Sequence, residues 1–173
     1  METMIAIGRL IKPHGLRGEL VFLPYVVDMA LVPDLIGRSV VLEHPVAPAL
    51  SRTVLNWRQF HKRVLMRFDG YHDIAQAETL REYEVLIARR AFESLPEGEY
   101  YWFEIEGLAV YAQDGEYLGV VEEIIYTGSN DVYVVQDADA RELMVPALSE
   151  AVSSIDVAQG EMHLRVQRQW LEF

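Results

Sequence analysis

Residues 4–23 read Met-Ile-Ala-Ile-Gly-Arg-Leu-Ile-Lys-Pro-His-Gly-Leu-Arg-Gly-Glu-Leu-Val-Phe-Leu. An apolar run at 4–7 breaks at Lys12-Pro13-His14-Gly15, and a second apolar run resumes at 20–23. The spacing predicts two strands, 4–11 and 19–26, joined by a short stiff loop. Pro13 fixes its own φ and biases Lys12 towards extended geometry. Gly15 and Gly18 permit backbone angles that a β-carbon forbids. The loop would present Arg9, Lys12, His14 and Arg17, three of them permanently cationic, an arrangement suited to a phosphate backbone. A barrel-closing turn that happens to carry surface charge fits the same residues equally well.

Outward from this loop, short strands follow closely. Ser39-Val40-Val41-Leu42-Glu43 is one, and a turn-prone segment with Pro45 and Pro48 follows it. Segments 53–57 and 64–68 flank Gln59-Phe60-His61-Lys62-Arg63, which reads as a hairpin tip. Val64, Met66 and Phe68 alternate with Leu65 and Arg67, so one face is buried and the other mixed. Residues 73–80 form the clearest helix, with Asp73 as N-cap and Gln76 placed for a capping box. Ile74, Ala77 and Leu80 would face the core, and Val85-Leu86-Ile87 would close the unit as a strand. Close-spaced strands with one helix suggest a small antiparallel barrel.

Residues 93–99, Glu-Ser-Leu-Pro-Glu-Gly-Glu, combine Pro, Gly and like charges and read as a linker. The expected domains are therefore 1–92 and 100–173, and the fold class is all-β. In the second half, strands are expected at 108–112, 117–121, 124–126, 132–135, 142–146 and 161–166. The segment 113–116, Gln-Asp-Gly-Glu, reads as a two-residue hairpin turn.

Taken alone, the net charge of −12 opposes a nucleic-acid partner, but it is unevenly distributed. Residues 1–95 hold 12 Lys+Arg against 11 Asp+Glu, whereas residues 96–173 hold 3 against 16. Within 9–67 the balance is 9 against 4. Charge speaks to fields and partners rather than to fold. The first half can face phosphates, with Arg58, Lys62 and Arg63 as further candidates, while the acidic second half suits a basic protein. Acidity that serves solubility alone is the plainer reading.

No cysteine is present, which excludes disulfides and thiolate metal sites. The five histidines, 14, 44, 61, 72 and 163, show no paired-ligand spacing, so no metal and no cofactor are expected. Walker, dinucleotide and nucleophile-elbow motifs are missing, and no catalytic residue is assigned. Glu104 with Glu106, and Glu122 with Glu123, read as solvated faces rather than acid–base pairs. Gly15-Leu16-Arg17-Gly18 mimics the KH-domain clamp, but that clamp joins helices and this loop joins strands. No apolar run approaches 18 residues, and no charged leader precedes an apolar core. A soluble, cytoplasmic protein without membrane attachment is the expectation.

An ordered series of motifs carries a resemblance. Gly8-x-x-x-Lys12-Pro13-His14-Gly15-Leu16-Arg17-Gly18-Glu19 is followed by Tyr100-Tyr101-Trp102, Gly107-Leu108-x-Val110 and Asp114-Gly115-x-x-Leu118-Gly119-x-Val121. Thr127-Gly128-x-Asn130-Asp131-Val132-Tyr133, Leu143-Met144-Val145-Pro146-Ala147 and Val152-x-x-Ile155-Asp156 complete it. In order and spacing the chain resembles the RimM family, bacterial factors that help mature the small ribosomal subunit. The resemblance implies two small β-barrels, the first akin to those of translation factors and carrying one short helix, the second a PRC-barrel. It also implies a non-catalytic factor that binds the immature 30S head, touching 16S ribosomal RNA and ribosomal protein S-nineteen, and so assists assembly and processing; a monomer is the separate expectation. A general RNA-binding or translation-factor-like module without an assembly role is the alternative.

Tyr100 and Tyr101 admit two readings: core rings at the start of a strand, or an anchor for a protein partner. The resemblance favours the anchor, because the paired tyrosine of the family is implicated in docking to the subunit. Trp57 and Trp170 read as core or packing residues. The chain departs from the family pattern at Glu104-Ile105-Glu106-Gly107, at Leu80-Arg81-Glu82 and at Gln169-Trp170-Leu171-Glu172. The last departure leaves the course of the tail open.

Overall fold

The computed structural model describes residues 1–26 and 28–172. It divides into two compact units, the second beginning at Leu95. The domains expected from sequence include residues 27 and 173, which lie outside the described residues.

The first unit is a closed six-stranded antiparallel barrel. Its strands are β1 (Met4–His14), β2 (Glu19–Pro24), β3 (Ser39–His44), β4 (Ala47–Phe60), β5 (Arg63–Phe68) and β6 (Glu84–Ala88). Around the barrel they run β1-β2-β5-β4-β3-β6, with β6 returning to β1. Period-two alternation sends Ile7, Leu20, Phe22, Leu42, Met66, Phe68 and Val85 inward, all at most 1% exposed. Each such side chain contributes about 1.5–3 kcal/mol by leaving water.

β1 runs through Pro13 to His14, beyond the expected break, and the turn is residues 15–18. Proline is tolerated because β6 pairs with β1 only as far as Arg9, so Pro13 has a ladder partner, Leu20, on one side alone. The β1–β2 pairing also carries a register slip between Leu10 and Lys12.

Helix α1 (Ile74–Glu78) is shorter than expected. Asp73 Oδ1 accepts from the Gln76 amide at 2.8 Å. The Gln76 side chain reaches one residue further back than a capping box requires, accepting from the His72 amide at 2.7 Å. Ala77 and Leu80 are fully buried, but Ile74 is 44% exposed rather than inward-facing. As the first helical residue it sits beside its cap at the rim.

The second unit opens with the single turn α2 (Trp102–Ile105), followed by β7 (Ala109–Tyr111), β8 (Tyr117–Ile125), β9 (Val132–Gln136), β10 (Glu142–Pro146), β11 (Val152–Asp156) and β12 (Glu161–Leu164). They form one six-stranded sheet, β10-β9-β8-β7-β12-β11, antiparallel except for β12 on β7. The sheet wraps a common core of Val110, Leu118, Val121, Val135, Leu143, Val145, Met162 and Leu164.

Four local expectations change here. β8 is one strand where two were read, because a bulge between Val121 and Glu123 absorbs the lapse in alternation. Glu122 and Glu123 are both exposed as a result. The β7–β8 loop is five residues, 112–116, since Tyr111 pairs directly with Tyr117. β11 had not been read as a strand, its Ser-rich sequence alternating too weakly. The tail ends in a 3-10 turn, Arg168–Trp170, with Leu171 in the core and Arg168 Nε 2.7 Å from Glu116 Oε1. Trp170, expected to pack, is 70% exposed.

Candidate nucleic-acid interface

The barrel carries the β1–β2 turn and the β4–β5 hairpin tip, and the structure sorts the expected cations between them. Lys12 lies exposed on β1, and Arg17 lies exposed in the turn. Lys62 stands in the turn at the hairpin tip and Arg63 opens β5 beside it, both exposed. Among the described residues, none of these four forms an ion pair.

His14, at the end of β1, joins the hairpin tip. Its ring centroid is 5.2 Å from that of Phe60, which in turn lies 4.6 Å from His61 with the planes near perpendicular. These rings line an open groove of about 690 Å³ together with Lys62 and Arg63. Lys62 and Arg63 also line a second groove of about 380 Å³, which reaches Ile11, next to Lys12. His14, Lys62 and Arg63 thus share one surface.

Arg58 is present on this surface but is engaged. Its Nε and Nη2 donate to the two carboxylate oxygens of Glu19 at 3.0 and 3.1 Å. This bidentate geometry fits a guanidinium fork. The hydrogen bond from Arg58 holds the Glu19 carboxyl below its ordinary range despite some burial. Arg58 Cζ also sits 5.1 Å from the Phe60 ring centroid.

Arg9 is separated from the others. On β1 it pairs with Glu84 of β6, and Nη1 lies 3.6 Å from Glu82. The groove it lines, about 580 Å³, is shared with Glu43, His44, Pro45, Glu82 and Glu84. Nearby, Tyr25 donates to Glu84 at 2.5 Å, and burial with that carboxylate pushes its phenol up to about 12. Carboxylates therefore occupy the surroundings of Arg9, and it does not join the loop cations.

The aromatic pair differs from a free anchor. Tyr101 is 4% exposed, and its ring stacks on Phe103 with centroids 5.1 Å apart and planes 9° apart. Its amide donates to Glu104 at 2.9 Å, which fixes Tyr101 at the start of α2 and turns the ring inward. Tyr100 is half-buried against the core of the second unit, and its hydroxyl lies 3.4 Å from the Ile155 carbonyl. Of the pair, Tyr100 keeps the greater outward surface.

Elsewhere on the second unit the surface is acidic. Partial burial, with repulsion from Glu123 and Glu122, raises the Glu106 carboxyl. Among the described residues, no group of three or more His, Asp or Glu side chains is placed to hold a metal ion. No described helix is long and apolar enough to cross a membrane.

Sequence reasoning passed over Phe60 and His61 as site residues, although they were read as part of the hairpin tip. The available signal was their interleaving with Arg58, Lys62 and Arg63, since aromatic rings among cations suit nucleic acid. Glu19, the partner of Arg58, lies 39 positions away in sequence and left no such signal.

Comparison with known proteins matches residues 5–92 to the RimM N-terminal domain and residues 102–170 to the RimM PRC barrel domain. The ribosome maturation factor RimM of Geotalea daltonii is 35% identical over 156 residues, 90% of this chain and 88% of that protein. The protein of the same name from Pseudomonas paraeruginosa is 34% identical over 168 residues, 94% of each. A crystal structure of a 16S ribosomal RNA processing protein RimM from Pseudomonas aeruginosa aligns with a TM-score of 0.45 and 30% identity. That alignment covers 96% of this chain and 99% of the other.

Proposed function

The chain belongs to the RimM family of ribosome maturation factors, and from that premise we propose that it is a non-catalytic, cytoplasmic, monomeric factor acting on the immature 30S subunit at its head. In this reading the first unit, residues 1–92, meets 16S ribosomal RNA. The acidic second unit, residues 100–173, meets the basic ribosomal protein S-nineteen, and residues 93–99 link the two. The observation that carries the RNA side is the division among the cations. Arg9 and Arg58 are held by carboxylates, whereas Lys12, Arg17, Lys62 and Arg63 have no such partner among the described residues. Cations without internal partners are available to phosphate oxygens. On the protein side, the 16 acidic against 3 basic residues of the second half support steering towards a basic partner. Tyr100 supplies the more accessible ring of that contact, and Tyr101 supports it from within.

The mechanism is scaffolding. A factor that binds the native arrangement of the head more tightly than misfolded ones shifts the equilibrium towards it, by no more than that difference in affinity. Dissociation once the subunit is mature follows if the mature surface no longer offers the site.

The test is association of the tagged protein with precursor and with mature small subunits across a salt series. Preferential capture of the precursor is expected. Replacing Lys12 and Arg17 by Ala should weaken that capture and flatten its salt dependence by up to about 0.7–0.9 log units per lost phosphate contact. Equal capture of mature subunits would instead favour a general RNA-binding module. An unchanged salt slope would move the RNA contact away from the β1–β2 turn.

A further inference from the structure

The hairpin tip offers more than charge. Three rings, His14 at the end of β1, Phe60 at the end of β4 and His61 in the β4–β5 turn, converge on one groove, with a guanidinium at 5.1 Å from the central ring. A barrel gains little stability from half-exposed rings at a strand end, yet here they line an open groove large enough for a nucleotide. Lys62 and Arg63 stand on the same groove, and no carboxylate claims either of them among the described residues. Rings that expose a π-face beside unpaired cations are what an unstacked base with its phosphate requires. A base-paired helix keeps its faces inside the stack and offers only phosphates and groove edges, so it could use the cations but not the rings.

Resting on the RNA-facing reading of the first unit, we propose that His14, Phe60 and His61 form a stacking platform for an unpaired base of single-stranded RNA, with Lys62 and Arg63 holding the adjoining phosphates. The Glu19–Arg58 bridge then positions the platform. By engaging both oxygens of Glu19, Arg58 is held over Phe60 and is not free to fold across the groove.

The experiment uses the full-length protein with two probes, a 12-nucleotide single-stranded RNA and a blunt RNA duplex of equal length, read by fluorescence anisotropy over a salt series. Phe60→Leu keeps an apolar side chain and removes the ring. It should weaken single-strand binding about tenfold with an unaltered salt slope, and leave duplex binding unchanged. Lys62→Ala with Arg63→Ala should instead flatten the salt slope for the single strand, by about 0.7 log units per lost phosphate contact. His61→Asn, which tolerates the left-handed backbone at φ +54°, gives an independent reading if Phe60→Leu shifts the thermal midpoint. Should both ring variants bind the single strand like the parent while the cation variant flattens the slope, the platform is refuted and the RNA-facing reading survives. If the cation variant also leaves the slope intact, the platform is refuted and the RNA contact of the first unit rests on Lys12 and Arg17 instead. Parent protein that prefers the duplex refutes the platform outright.

Discussion

Gly18 stands at φ +90°, and a β-carbon built there would lie 2.2 Å from the carbonyl oxygen of Tyr71. Backbone cannot swing aside as a side-chain tip can, so both the angle and the close approach demand glycine. Gly18→Ala should therefore destabilise the protein by about 2 kcal/mol or more, read as a fall in the urea midpoint at unchanged slope. Gly8, in the same motif, has no unusual angle; a β-carbon there would meet the Phe22 ring at 2.3 Å. Thus the most diagnostic stretch of the chain carries two kinds of constraint together. Gly8 and Gly18 serve close packing and Gly15 a left-handed turn at φ +68°, whereas Lys12 and Arg17 serve neither the core nor an internal ion pair among the described residues. A sequence motif does not separate these roles, because each is written in the same twelve residues. Tyr101 shows the opposite confusion. Its family resemblance drew it towards an external contact, while the α2 turn places it at 4% exposure. The core reading expected buried rings at the start of a strand; the burial is present, but a helical turn rather than a strand supplies it.

At the scale of elements, the Glu19–Arg58 bridge spans β2 and β4 across the intervening β5, tying three neighbouring strands together. Arg58 lowers the folded-state affinity of Glu19 for protons. A carboxylate depressed in this way contributes stability that is fully present above its unfolded value of about 4.5 and is lost as pH falls through its lower folded value. Glu19→Gln should accordingly reduce stability at pH 7 and lessen the acid dependence of the urea midpoint below about pH 4.5. An acid limb identical to that of the parent would show the bridge to be energetically silent, as many exposed pairs are. The strands themselves were legible from alternation and turn residues, and the β4–β5 hairpin falls where the Gln59-Phe60-His61-Lys62-Arg63 tip was read. What escaped was long-range. The bulge that makes β8 continuous, the parallel placement of β12 on β7 and the cross-barrel bridge depend on residues far apart in the chain. Local periodicity carries no information about such partners. For the same reason the cations could be named from sequence but not sorted into engaged and free. That sorting needed Glu82, in the turn before β6, and Glu19 of β2, which the fold brings to Arg9 and Arg58.

Across the whole molecule, charge changes sign of purpose near residue 95: a nearly neutral barrel with exposed cations precedes a strongly acidic sheet unit. Each unit has its own buried core, and core residues of the second run from Ile105 to Leu171. Between them, residues 93, 94 and 96–99 are exposed and belong to no helix or strand. Exposed backbone without ladder hydrogen bonds is where proteases act first, since a strand or helix must open before it can enter a protease cleft. The segment also holds Glu93, Glu97 and Glu99, so a glutamate-specific protease has three accessible sites within seven residues. Brief digestion of the native protein should therefore yield two fragments cut between residues 93 and 100, ahead of cleavage at the many glutamates elsewhere. If each unit folds on its own core, the separated fragments should retain strand-type circular dichroism and melt cooperatively. The acidic fragment should then keep affinity for the basic ribosomal protein, and the barrel fragment should keep the salt-dependent RNA binding. Early cleavage within the strands, or collapse of both fragments once separated, would show instead that the two cores depend on each other for stability and that function cannot be divided at this segment.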